Sequence, residues 1–123
     1  MKTIFMSISV KNTFDFVHCW PDAPTNMYYL RTPHRHLMET RTTISVTHND
    51  RELEVLEVKK NIDYFIHNTH FALTTSCEML AERIIDFILD KYGDRDVTVH
   101  VLEDGENGAF AIYTREVNKN EKD

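Results

Sequence analysis

The tripeptide His34-Arg35-His36 is the part of this sequence best equipped to do chemistry. Alternate side chains of an extended strand share a face, so the two imidazoles project together while Arg35 points away. A third imidazole, His18, ends an earlier apolar run. Three imidazoles from neighbouring strands are a donor set that holds a catalytic zinc ion and leaves one coordination position for water or substrate. His-X-His also arises by chance, and three histidines can equally be satisfied core or surface groups. The difference rests on whether the rest of the chain brings the three together.

Positioning them falls to two strands. Ile4, Met6, Ile8 and Val10 share one face, and Phe14, Phe16 and His18 resume that parity after Lys11-Asn12-Thr13. This alternation predicts a long strand over 4–18, bulged near Asn12 and ending on His18. As neighbour of His18 on such a strand, Cys19 should face the opposite side. Residues 20–33 hold all three prolines and read as an irregular loop, of a length that often carries function. A second strand over 34–47 has His34, His36, Met38, Thr40, Thr42, Ile44 and Val46 on its inward face. Antiparallel pairing lays the end of the first strand beside the start of the second, and His18 then meets His34 and His36 at one sheet end.

Beyond the turn at 48–50, Val55, Val58, Ile62, Phe65 and Ile66 fall at near-helical spacing. They predict a short helix that begins between Leu53 and Lys59 and runs to Asn68. Thr75-Ser76-Cys77-Glu78 has the pattern of a capping box, in which a hydroxyl and a carboxylate satisfy the first exposed N–H groups of a second helix. Cys77, Leu80, Ala81, Ile84, Phe87 and Ile88 form that helix's stripe, assigned to the core, and Gly93 stops it. Strands over 96–103 and 109–117 flank the turn 104–108. Parity puts Glu103 on the face of Val97, Val99 and Val101 at the strand's end. There a buried carboxylate needs donors or a ligand, whereas one emerging into solvent needs neither.

The order strand, strand, helix, helix, strand, strand describes one α+β domain over 1–117: a four-stranded antiparallel sheet with both helices on one face, followed by a polar tail at 118–123. Its free strand edges call for cover, and a homo-oligomer is the expected remedy. With 123 residues, the chain buries about two-thirds of its unfolded surface and needs no staples. Cys19 and Cys77 show no disulfide pattern and point to a reducing, cytoplasmic setting. The run 3–10 is broken by polar residues and has no small-residue cleavage site, so it reads as strand rather than signal peptide, and nothing here spans a membrane. A net charge of -6 argues against a nucleic acid partner, because such binders draw affinity from clustered Lys and Arg.

In this order the motifs resemble those of the 6-pyruvoyl-tetrahydropterin and 6-carboxy-tetrahydropterin synthases, which have the T-fold. Phe16-Val17-His18 resembles the first zinc histidine at the end of strand one, and His34-Arg35-His36 the His-Gly-His pair that opens strand two. Thr75-Ser76-Cys77-Glu78-Met79-Leu80-Ala81 is similar to the Pro-Thr-X-Glu-Asn-Leu-Ala that opens the second helix. Val99-His100-Val101-Leu102-Glu103 resembles the closing strand whose glutamate anchors the pterin ring. The resemblance implies zinc on His18, His34 and His36, and Glu103 holding the amino-pyrimidine edge of a pterin through charge-assisted hydrogen bonds. It also implies a lyase reaction that eliminates triphosphate from 7,8-dihydroneopterin triphosphate, with zinc as Lewis acid and a nearby base moving protons.

Departures from the family pattern fall on the proton-transfer groups. The catalytic cysteine of the family lies four residues before His-X-His, where this chain has Leu30. For the family's Asp-His pair the nearest candidates are His67 and His70, neither preceded by aspartate, and Arg35 replaces glycine. Two expectations follow. In one, His67 or His70 serves as the base near neutral pH in a lyase. In the other they are ordinary loop histidines, and the chain is a non-catalytic homologue that keeps metal and pocket as a pterin-binding module or a structural oligomer.

Overall fold

The computed structural model describes residues 2–116. The expected tail at 118–123, and residue 117 before it, lie outside the described residues. Strand β1 (Met6–His18) pairs antiparallel with β2 (His34–Val46) in one register, from Met6 opposite Val46 to His18 opposite His34. Each residue faces one partner throughout, so the bulge expected near Asn12 is absent. Asn12 instead keeps the inward parity and is buried, and its side-chain amide donates to the Lys59 carbonyl at 3.0 Å. The amide nitrogen is satisfied in this way, whereas Oδ1 is buried with no hydrogen-bond partner among the described residues.

Between these strands the expected irregular loop contains a 3-10 helix, Thr25–Leu30. The loop closes on itself, with Trp20 N–H donating to the Leu30 carbonyl at 2.7 Å and Arg31 Nε to the Ala23 carbonyl at 2.8 Å. After β2 come helices α1 (Val55–Asn68) and α2 (Cys77–Tyr92). Glu54 caps α1 through the N–H of Leu56 at 2.9 Å. The cap of α2 is Ser76, whose Oγ accepts from Met79 N–H at 3.1 Å. The cap thus sits one residue after the expected Thr75, and the expected capping box does not form, because N3 is then Met79, which has no carboxylate to return; the Thr75 hydroxyl donates to the Ala72 carbonyl at 2.6 Å. Gly93 ends α2 at φ 88, a left-handed backbone that glycine adopts without steric cost.

Strands β3 (Val97–Glu103) and β4 (Asn107–Tyr113) complete a four-stranded antiparallel sheet in the order β1-β2-β3-β4. The hairpin between them is tighter than the turn 104–108 expected. Asp104 (φ 54) and Gly105 (φ 73) both take left-handed backbone, the conformation that an Asp-Gly pair accommodates in hairpins. Both helices pack on one face, α1 against β1 and α2 against β3 and β4. Ile62, Leu80, Ile84 and Ile88 meet Met38, Ile44, Val97, Val99 and Val101 there, all fully buried. Each such side chain contributes about 1.5–3 kcal/mol over leaving it in water. Among the described residues no helix is long and apolar enough to cross a membrane.

An ion pair locks the sheet at the end away from the histidines. The Glu52 carboxylate accepts from the N–H of Thr47 at 2.7 Å and its hydroxyl at 2.6 Å, and pairs with Arg95, which also reaches the Ser45 carbonyl. Hydrogen bonds from Thr47, then Arg95, hold this carboxyl down from 4.5 to about 2. The folded pKa lies below the unfolded one, so the contribution is complete above about pH 4.5 and is lost as pH falls towards 2. Glu52→Gln is expected to lower the thermal midpoint at pH 6 and to match the unsubstituted protein near pH 2. Melts recorded across that range check it; a difference independent of pH contradicts it.

Candidate metal centre

Register and parity bring the imidazoles together. His18 lies directly opposite His34 and Phe16 opposite His36, all on the inward face at one sheet end. The ring centroids are separated by 4.7 Å (His18 to His34), 5.2 Å (His18 to His36) and 5.0 Å (His34 to His36). One ring nitrogen from each lies within 4.8 Å of those of the other two. The triangle stands on an aromatic floor, with Phe16 edge-on to His18 and to Phe71.

The second nitrogen of each ring decides what the triangle can bind. His18 Nδ1 lies 2.9 Å from the Thr75 carbonyl, His34 Nδ1 2.9 Å from the Thr32 carbonyl, and His36 Nδ1 2.7 Å from Asp104 Oδ2. Carbonyl and carboxylate oxygens only accept, so each Nδ1 carries the proton, and in a neutral imidazole that leaves Nε2 bare. Bare nitrogens gathered this closely cannot hydrogen-bond one another, and a divalent cation would satisfy one from each ring. Anchored Nδ1 groups of this kind are what orient metal-ligating imidazoles. By donor type and number the set fits a zinc ion with an open position.

Glu103 joins them rather than emerging into solvent. Its side chain is 18% exposed, and Oε2 lies 3.0 Å from His18 Nε2 and 3.4 Å from His36 Nε2. Oε1 accepts from the Asn107 side-chain amide at 3.2 Å. A carboxylate facing two imidazole nitrogens is favourable only with positive charge on or between them, whether a proton or a metal ion.

His67 and His70 are not part of this assembly. The stripe Val58, Ile62 and Ile66 turns inward on the sheet, which rotates the next residue, His67, out to solvent. There its Nδ1 meets the Asp63 carbonyl at 2.8 Å. His70 is exposed in the following loop, and neither histidine lines the cavity.

That cavity, about 650 Å³, opens over the imidazoles, with Trp20 and Leu30 from the loop and Ser76 to Met79 from the start of α2 in its walls. Cys19 lines it too, against the expectation that it faces away from His18. The reason is that β1 ends at His18. Cys19 already belongs to the loop, its N–H donating to the Leu73 carbonyl at 2.8 Å, and strand alternation no longer governs it.

Two site residues escaped the sequence reading. Cys77, assigned to the core stripe, is buried and also lines the cavity beside Glu103. Burial, then the Glu103 charge and hydrogen bond, push its thiol up to about 12, so at neutral pH it is a thiol and no nucleophile. Its place in the first turn of α2 was the available signal. Asp104, read as a turn residue, holds His36 through Oδ2 and accepts from Leu37 N–H through Oδ1 at 3.0 Å. These two hydrogen bonds keep its carboxyl below the usual carboxylate range. No sequence signal links residues 68 positions apart. Compared with protein-family models and with curated proteins, the sequence matches none.

Proposed function

We propose that this chain is a zinc-dependent protein of the 6-pyruvoyl/6-carboxy-tetrahydropterin synthase type, built on the T-fold, that takes 7,8-dihydroneopterin triphosphate or a related pterin. The observation that carries the reading is the convergence of His18, His34 and His36 with every Nδ1 committed to an acceptor. Zinc held by these three residues supplies Lewis acidity towards the oxygens of a ligand side chain. Glu103, steadied by Asn107, offers a carboxylate to the N–H groups of a heterocycle. Trp20 and Leu30 give the cavity an apolar wall against which a flat ring packs. Among the described residues β1 and β4 are the unpaired edges of the sheet, which favours a homo-oligomer, and the free thiols Cys19 and Cys77 favour a cytoplasmic setting.

A second reading, binding without turnover, is favoured by one specific observation. Leu30 lines the cavity in place of the thiol expected from the family resemblance, and an alkyl group moves no proton. The test is zinc per chain by elemental analysis of the purified protein, followed by incubation with 7,8-dihydroneopterin triphosphate. Near-stoichiometric zinc with release of triphosphate supports the lyase. Zinc and pterin binding without triphosphate release supports the binding module. No zinc, even after incubation with the metal, overturns both.

A further inference from the structure

The geometry points to Asp104 as a positioning residue of the metal site, one that sets the tautomer and direction of His36. This rests on the zinc-binding reading above and deepens it. Of the three imidazoles only His36 has a carboxylate on Nδ1, whereas His18 and His34 have backbone carbonyls. A carboxylate there makes the opposite nitrogen a stronger donor and fixes the ring's orientation.

The turn is built to hold that carboxylate in place. The ladder between β2 and β3 ends at the pair Met38 and Glu103. Beyond it, Asp104 N–H donates to the Leu37 carbonyl at 2.8 Å, Leu37 N–H donates to Oδ1 at 3.0 Å, and His36 Nδ1–H to Oδ2 at 2.7 Å. Both carboxylate oxygens are thus engaged, each by a different donor of β2. Asp104 achieves this at φ 54, a left-handed backbone rare for residues other than glycine, asparagine and aspartate. The same residue follows Glu103 directly, so the turn that orients a metal ligand also fixes where the cavity carboxylate ends.

Asp104→Asn tests the idea with minimal disturbance, since asparagine matches the shape and tolerates the backbone. Its single carbonyl oxygen can serve Leu37 N–H or His36 Nδ1–H, not both. Once that oxygen serves Leu37, the amide NH₂ faces His36 Nδ1, which must then be bare, and the imidazole proton moves to Nε2, the side that faces the metal. Zinc affinity, read by competition with a chromophoric chelator, is expected to fall about 10–100-fold. Nitrogen-15 NMR of the metal-free protein should show His36 leaving the Nδ1–H tautomer. Asp104→Gly, which keeps the left-handed turn and removes the carboxylate, should also weaken zinc and separates this effect from misfolding of the asparagine variant. Unchanged zinc affinity and an unchanged His36 tautomer in both variants overturn the inference and leave the function standing. If the unsubstituted protein binds no zinc, the proposed function fails. The tautomer still judges Asp104: a switch in the variant supports its role, and none overturns it.

Discussion

Replacing His34 and His36 together by alanine is expected to abolish the proposed zinc binding and, with it, any stabilisation by zinc. The variant leaves His18 as the sole imidazole, and one neutral imidazole beside Glu103 cannot assemble a tetrahedral site. A ligand that binds only the folded state stabilises it by about 4 kcal/mol at a thousandfold excess over its Kd. For a domain of this size that corresponds to a rise in Tm of roughly 10 °C or more. The unsubstituted protein should show such a rise on adding zinc and the double variant none, as checked by melts with and without the metal. Neither side chain belongs to the apolar cluster under the helices, so the metal-free melts of the two proteins should differ only by the loss of exposed contacts such as that between His36 and Asp104. His67→Ala and His70→Ala, which change residues outside the cavity, should retain the full zinc response. A zinc response that survives in the His34, His36 double variant contradicts the site.

Gly108→Ala is expected to damage the ligand side of the cavity while sparing the metal side. A Cβ at Gly108 falls 1.8 Å from the Val101 carbonyl oxygen and 2.8 Å from its carbon. These are backbone atoms in the middle of β3, so no side chain can rotate away to make room. The strands must part around the pair Leu102 and Gly108. Overpacking that side chains can absorb costs about 1–3 kcal/mol, and this backbone clash belongs at the top of that range or above it. A loss of Tm of about 10 °C follows. Asn107, the neighbour that holds Glu103, shifts with β4, so affinity for the proposed pterin ligand should fall as well. The three histidines sit on β1 and β2, not on the two strands that must part, so zinc stoichiometry should persist, with any weakening of zinc affinity arriving through Asp104 at the adjoining turn. Loss of zinc and pterin in equal measure would show that the two sides of the cavity are not separable in this way.

The sequence by itself determined which face of each strand carries chemistry. Period-two alternation placed His34 and His36 with Met38 and Ile44, and Glu103 with the valines, because a strand has two faces and parity assigns every residue to one. Antiparallel order then set His18 against His34. The helical stripes of α1 and α2 were legible for the same reason, each burying an apolar face at its own period. What only the tertiary structure decided is what stands across from these faces. Asn12 found a carbonyl of α1 for its amide nitrogen within an unbulged ladder. The cap of α2 fell to Ser76, one residue after the expected Thr75. Cys19 entered the cavity once its strand had ended, Cys77 reached it from the first turn of α2, and His67 was carried outward by the stripe beside it. The contact between Asp104 and His36 spans 68 residues. Periodicity records how a residue leaves its own backbone, whereas its partner is chosen by another element's position in space, which no local pattern encodes.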